Sequence, residues 1–171
     1  MKRTIILSLI VLVFICPLMA KGKKGHLSLK AKVSLYDPPD GSQTTIYGMT
    51  ADYRFSNFLS AAGNVEYAVY DNDGGDDVKY MPVTVDGKLH ALGDSSIDPY
   101  LGAGFGLFLK TVGDENETTF GFEFLGGISY HMENGFGFSG EAKYAIPDVS
   151  NPDDGGLTIG GGIEGSLEMD L

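Results

Sequence analysis

The chain has 171 residues with one cysteine, no tryptophan, 25 glycines and a formal net charge of −11. This length suits one domain or at most two, and a single cysteine excludes a framework of intramolecular disulfide bonds. A chain this acidic lacks the basic footprint that nucleic-acid recognition requires, so we expect no nucleic-acid partner.

The first 20 residues have the layout of an export signal. Lys2 and Arg3 give a basic start, an apolar run follows over residues 5–15, and Ala20 ends a short exit segment. The apolar run is short for a membrane span. We therefore predict a cleaved signal peptide over residues 1–20 and one mature domain over residues 21–171. The alternative is an uncleaved N-terminal anchor.

The rest of the chain alternates apolar and polar residues with a period of two. Eight such runs are separated by clusters of Gly, Asp, Asn and Pro, which is typical of β-strands joined by turns. In chain order, the apolar positions of these runs fall within residues 27–35, 47–55, 61–69, 81–91, 101–109, 120–130, 136–146 and 157–171. After the first segment no apolar run reaches the length of a spanning helix.

The two faces of these strands differ sharply in chemistry. The apolar positions carry no charge, whereas the intervening positions carry charges of both signs and many glycines, such as Gly102, Gly104 and Gly106 in the fifth run. Small residues give room to long side chains inside a narrow eight-stranded barrel. We therefore predict that the apolar face contacts lipid and the charged face fills the lumen. The alternative, with the faces exchanged, is a soluble lipocalin-like carrier. The predicted lumen charge network is Lys30, Lys32, Asp52, Arg54, Glu66, Asp86, Lys88, Glu123, Glu141, Lys143 and Glu164.

The connections between runs divide into an acidic set and a less charged set. The first, third, fifth and seventh connections, including GDENE at residues 113–117, are strongly acidic, and the other three hold few acids. Alternate connections lie at opposite ends of an up-and-down barrel, so one rim is anionic and faces outside if the chain starts in the periplasm. The weak divalent-cation candidates on this rim are Asp71, Asp73, Asp76 and Asp77. Gly75 stands where a helix-loop-helix calcium site needs a ligand, so no tight site is expected.

Candidate catalytic groups are sparse. Asp86, Lys88 and His90 share the polar face of the fourth run, where a carboxylate could orient an imidazole. Ser129 shares a face with His131, but neither site has the spacing of a known nucleophilic constellation. We predict no enzyme and no cofactor. Aromatic residues near strand ends predict interfacial girdles. They are Tyr36, Tyr47, Phe55, Tyr67, Tyr70, Phe120, Tyr130, Phe136 and Tyr144.

Four segments make the chain resemble a known family. They are VKYMPVTVDGKLH (78–90), PYLGAGFG (99–106), FGFEFLGGISYHMENGFGFSGEAKY (120–144) and GLTIGGGIEGSLEMDL (156–171). The chain resembles the outer-membrane protein β-barrel domain family, the small barrels akin to outer-membrane proteins A, X and W. The resemblance implies that residues 21–171 form an outer-membrane β-barrel domain, an all-β, eight-stranded antiparallel up-and-down transmembrane β-barrel in a Gram-negative outer membrane. It also implies insertion by the barrel-assembly machinery, although Leu171 departs from the usual terminal aromatic residue.

From these features we predict a monomeric structural or surface-interaction protein with a side-chain-filled lumen. Its partners are outer-membrane lipid and lipopolysaccharide, the latter through loose divalent-ion bridges at the acidic rim. The alternative function is a small porin or a conduit for small or apolar solutes.

Overall fold

The computed structural model describes residues 25–72, 74–92 and 95–169. Within them, eight β-strands pair antiparallel in chain order, and the last strand pairs with the first to close a barrel. The predicted fold class is therefore confirmed. The predicted signal peptide, Asp73 and Leu171 lie outside the described residues. The strands are β1 (Gly25–Asp37), β2 (Thr44–Arg54), β3 (Leu59–Asp71), β4 (Asp77–His90), β5 (Ile97–Val112), β6 (Glu115–His131), β7 (Phe136–Ile146) and β8 (Gly156–Met169).

Barrel closure satisfies the hydrogen-bonding groups of the strands without leaving a sheet edge, which is the requirement for strands in lipid. β1 pairs with β8 from Asp37 opposite Leu157 to Gly25 opposite Met169. In the described part of the chain, no helix is both long and apolar enough to cross a membrane.

The exterior of the barrel is apolar. Leu101 is 70% exposed and Met49 is 69% exposed, and most of the other apolar positions of the strands also face outward. The charged residues Lys32, Glu66 and Glu123 are buried inside. This arrangement is the reverse of a soluble carrier's, in which charged side chains face water, so the soluble-carrier alternative is wrong.

Glycines on the inner face make space for larger neighbours. A Cβ atom on Gly104 would come within 1.9 Å of Asp86 Oδ1, and one on Gly127 would come within 2.5 Å of the Tyr100 hydroxyl. These two positions therefore admit no side chain without displacing a lumen residue. Steric crowding in the narrow lumen therefore explains why glycines occupy the inner face of the fifth run.

The connections form two rims. We call the end that carries residues 38–43, 72, 74–76, 113–114 and 147–155 the loop rim, and the end that carries residues 55–58, 91–92, 95–96 and 132–135 the turn rim. The acidic connection predicted over residues 113–117 is shorter than expected, because Glu115 and Glu117 continue the ladder in β6 opposite Val112 and Lys110. Gly113 adopts a φ of 56°, which lets two residues reverse the chain.

Candidate functional site

The middle of the lumen contains ion pairs that join strands not adjacent in the sheet. Lys32 Nζ lies 3.0 Å from Glu66 Oε1 and 3.2 Å from Glu141 Oε1. Lys143 forms an ion pair with Glu66 and lies 3.6 Å from Glu123 Oε2. The Lys32 contacts and the Lys143–Glu66 pair cross the lumen between β1, β3 and β7, whereas Glu123 lies on β6, the strand next to that of Lys143. Breaking one partner of such a buried pair leaves an uncompensated charge, which costs several kcal/mol.

A second group of ion pairs surrounds Tyr100, nearer the turn rim. Lys88 Nζ lies 3.1 Å from Asp52 Oδ2, and Lys30 Nζ lies 2.7 Å from Glu164 Oε2. Both ammonium groups also lie over the Tyr100 ring, at 5.1 Å for Lys88 and 5.5 Å for Lys30. The ring face attracts each cation while the carboxylates neutralise it.

Asp86 differs from the rest of the predicted network because its partner is an amide. Asn64 Nδ2 donates to Asp86 Oδ2 at 2.6 Å, and the Thr50 hydroxyl donates to the Asn64 carbonyl oxygen at 2.6 Å. The Thr84 hydroxyl donates to Glu123 Oε1 at 2.8 Å. This layer is therefore a hydrogen-bonded network that connects to the ion pairs through Glu123.

Aromatic side chains fill the lumen beneath the loop rim. The rings of Tyr36 and Tyr80 stack with centroids 5.0 Å apart, and Tyr70 meets Tyr36 edge to face at 6.0 Å. Phe108 lies 6.3 Å from Tyr80, and above them Lys110 forms an ion pair with Asp40. We call Tyr36, Tyr70, Tyr80 and Phe108 the aromatic plug.

The aromatic plug corrects part of the girdle prediction. Tyr36 is 2% exposed and Tyr70 is 5% exposed, so neither ring lies at the lipid interface. Both residues occupy inward positions of their strands, and the pleat turns them into the lumen whatever their side-chain chemistry. Tyr47, Tyr67, Phe120, Tyr130, Phe136 and Tyr144 are exposed on the outer surface.

The opposite end of the lumen holds a cavity of about 410 Å³ that reaches the turn rim. His26, Arg54, His90, His131 and Glu164 are among its lining residues. Most of the residues that line the cavity are polar, in contrast to the aromatic plug at the other end.

At this end of the lumen, Asp98 is a buried carboxylate that contacts both Arg54 and His90. It is fully buried and forms an ion pair with Arg54, and its Oδ2 atom lies 2.8 Å from His90 Nδ1. Ser60 Oγ lies 2.9 Å from His90 Nε2. The carboxylate beside the His90 imidazole is therefore Asp98, whereas the sequence singled out Asp86.

Ser60, Asp98 and His131 were missed as lumen residues because the sequence pattern places each in a connection. In the structure Ser60 lies in β3, Asp98 in β5 and His131 in β6. All three stand at polar positions when the alternation of their strands is extended by one or two residues. Extending the alternation in this way would have identified all three as lumen residues from the sequence. Ser129 accepts a hydrogen bond from Lys30 at 3.3 Å.

The acidic candidates on the loop rim do not form a ready-made cation site. Asp71 and Asp77 face each other as a backbone pair at the ends of β3 and β4, and Asp76 lies in the turn between them. Among residues 25–72, 74–92 and 95–169, no group of three or more His, Cys, Asp or Glu side chains is arranged to hold a metal ion as it stands.

An apolar exterior, a closed antiparallel ladder and a polar lumen define a small transmembrane β-barrel of the outer membrane. The particular assignment comes from the sequence profile of the outer membrane protein β-barrel domain family, which matches residues 6–164. The chain belongs to this family, and the protein lies in the outer membrane of the cell.

Solved structures show the same fold. Neisserial surface protein A is similar over 82% of this chain and 96% of that chain, with 21% identity and a TM-score of 0.63. OprG of Pseudomonas aeruginosa matches over 85% and 98%, with 17% identity and a TM-score of 0.60. Ail of Yersinia pestis, in complex with the heparin analogue sucrose octasulfate, matches over 83% and 99%, with 17% identity and a TM-score of 0.52. A comparison with curated proteins finds no match.

Proposed function

We propose that this protein is a non-enzymatic barrel with a side-chain-filled lumen and a structural or surface-interaction role. The observation that supports this most is the stacking of Tyr36 on Tyr80 with centroids 5.0 Å apart beneath the loop rim. The ion pairs of Lys32 and Lys143 lie next along the lumen. Water and ions would have to displace both layers to cross, and each layer is held by contacts among several strands.

The loop rim is the surface that we propose acts outside the cell. Its exposed acids include Asp76, Asp114, Asp153 and Asp154. Carboxylate oxygens favour Ca²⁺ and Mg²⁺, so this rim is suited to loose divalent-ion bridges with lipopolysaccharide phosphates. The Ail structure holds a sulfated sugar analogue, whereas an acidic rim repels polyanions. We therefore propose cations and cation-coated anionic lipid as partners, with the barrel as a monomer inserted by the barrel-assembly machinery.

Conductance in planar lipid bilayers tests the filled lumen. We expect negligible ion conductance for the protein extracted from outer membranes, and no change for Arg54→Ala, because Arg54 lies at the open turn-rim end. A steady pore of defined conductance in the unaltered protein would contradict the proposal and support the small porin instead. Heat-modifiable migration on a gel confirms that each sample is a folded barrel.

A further inference from the structure

A groove of about 900 Å³ runs along the outer surface of the barrel, on the side formed by β7, β8 and β1 to β4. Ala31 on β1 lies directly between Met49 on β2 and Ile163 on β8. Met49 is 69% exposed and Ile163 is 62% exposed, so the small Ala31 side chain forms the floor between two projecting ones. We call this depression the outer groove, and its lipid-facing residues include Ala31, Met49, Tyr67, Met81, Phe138 and Ile163.

The outer groove has the size of a ligand site, since ligand pockets in proteins measure about 300–1,000 Å³. Its walls are apolar or aromatic and face the hydrocarbon of the membrane. The acyl chain of any membrane lipid suits such walls, so the groove alone does not select one lipid. The polar groups at its loop-rim end have to make that selection.

Lys79 is exposed on the outer surface at the loop-rim end of the outer groove. Its neighbours Val78 and Tyr80 are buried, so the pleat turns Lys79 outward. Lys79 lies two residues beyond the groove residue Met81, about 7 Å along β4. The other lysines and the arginine of the described segments face the lumen or its loop-rim mouth and contact carboxylates. Lys79 is therefore the basic group that the described part of the barrel presents to lipid.

The depth of Lys79 matches that of lipid headgroups. Lys79 lies opposite Thr111, which is six residues beyond Phe105 at the middle of β5. Each residue adds about 2.6 Å of depth at a strand tilt of about 40°. Thr111 is therefore about 16 Å from the middle of the barrel, outside an apolar band that extends about 12.5 Å to each side. Met81, two residues closer to the middle, lies within the band.

Two further polar side chains share this level on the outer face. Thr111 lies opposite Lys79, and Asn116 lies opposite Thr111 on β6. The Thr111 hydroxyl donates a hydrogen bond to Asn116 Oδ1 at 2.7 Å. The Asn116 amide nitrogen and the Lys79 ammonium group are then hydrogen-bond donors on one face. A row of donors above an apolar wall suits an anionic lipid headgroup with its acyl chains below.

We propose that the outer wall of the barrel binds one lipopolysaccharide molecule directly, with a lipid A phosphate on Lys79 and an acyl chain in the outer groove. This inference rests on the proposed function, in which the loop rim faces outside the cell and is surrounded by lipopolysaccharide. It adds a contact that needs no divalent ion, because an ammonium group pairs with phosphate itself. Asp71 and Asp77, which face each other beyond Lys79 on β3 and β4, need such an ion to hold a phosphate.

Titration with purified lipid A, followed by native mass spectrometry, tests the proposal. The protein is extracted from outer membranes in non-ionic detergent, freed of bound lipid and kept in EDTA to remove divalent ions. We expect one lipid A molecule per barrel. Lys79→Gln should weaken the affinity about tenfold, because a charge-assisted hydrogen bond is lost. Ala31→Leu should also weaken it, because the larger side chain fills the floor of the outer groove.

Two control variants carry the same substitutions at matched positions. Lys110→Gln removes a lysine that lies opposite Tyr80, the sequence neighbour of Lys79, but that points inward and forms an ion pair with Asp40. Ala103→Leu enlarges an exposed residue of β5 that is not part of the outer groove. Both variants should keep the lipid A affinity of the unaltered protein.

Equal lipid A affinity in Lys79→Gln and the unaltered protein would overturn the inference. Binding that returns only with added Mg²⁺ would also overturn it, and would leave the ion-bridged contact of the proposed function standing. Absence of binding with and without Mg²⁺ would overturn both. Equal or tighter binding of phosphatidylglycerol would overturn the choice of lipid A. Heat-modifiable migration verifies folding, and Lys79→Gln decides the question if Ala31→Leu fails to assemble.

Discussion

A lysine in place of Phe105 probes which face of the barrel contacts hydrocarbon. Phe105 lies at the middle of β5, is 39% exposed and pairs with Val85 and Phe122 on the neighbouring strands. A lysine on the lipid face at mid-depth costs about 2–4 kcal/mol. We expect Phe105→Lys to lower the free energy of unfolding in lipid vesicles by that amount or to block assembly.

Ile97→Lys is a control on the same face of the same strand. Ile97 begins β5 and is 49% exposed. A strand residue advances about 3.4 Å along the strand, and a tilt of about 40° leaves about 2.6 Å of depth per residue. Ile97 therefore lies about 21 Å in depth from Phe105, beyond half of an apolar band about 25 Å tall, where a lysine costs about 0–1 kcal/mol.

Equilibrium unfolding in urea, followed by far-ultraviolet circular dichroism and gel migration, measures both variants. The reasoning requires Phe105→Lys to be clearly less stable than Ile97→Lys. Equal unfolding free energies for the two variants would refute the assignment of this face to lipid. If the face contacted water instead, the cost of a lysine would not depend on its depth along the barrel.

Two further perturbations address the lumen by the same unfolding measurement. Gly104→Ala should destabilise the barrel by about 1–3 kcal/mol, because the new Cβ would meet Asp86 Oδ1 at 1.9 Å. Gly87→Ala, on the adjacent strand, should leave the free energy of unfolding nearly unchanged, because its added methyl group would have no atom within 4 Å. A larger loss of stability in Gly87→Ala than in Gly104→Ala would contradict the steric explanation. Lys143→Met should cost about 3–5 kcal/mol, because it leaves Glu66 buried with one ammonium partner fewer. Adding Glu66→Gln should recover part of that loss, and strictly additive losses would show that the pair is not coupled.

The alternation of inward and outward side chains could be predicted from the sequence because two physical constraints act on every strand residue. The pleat repeats every two residues, and lipid excludes charge from one face. Lys32, Glu66 and Glu141 could therefore be assigned to the inner face one at a time. Their contacts with each other could not be predicted, since those depend on how far each strand is shifted against its neighbours as the barrel closes.

The turn-rim cavity was not predictable at the level of its residues, because the ends of strands are where sequence patterns weaken. Asp98 follows a Gly/Asp/Ser cluster that is typical of a turn, and Ser60 is the last residue of SNFLS (56–60), which also has the composition of a connection. In the structure, the ladder runs on through both residues. Polar residues at a strand end are compatible with a turn and with an inward position, and composition does not separate the two.

The aromatic plug shows that position in the alternation, rather than side-chain chemistry, decides which way a barrel residue points. Tyr36, Tyr70, Tyr80 and Phe108 are as apolar as many lipid-facing residues, yet each stands in phase with the charged positions of its strand. A shift of one strand by a single residue would turn those rings outward, but it would carry charges such as Lys32 into hydrocarbon. The charges therefore fix the register, and the rings follow it into the lumen.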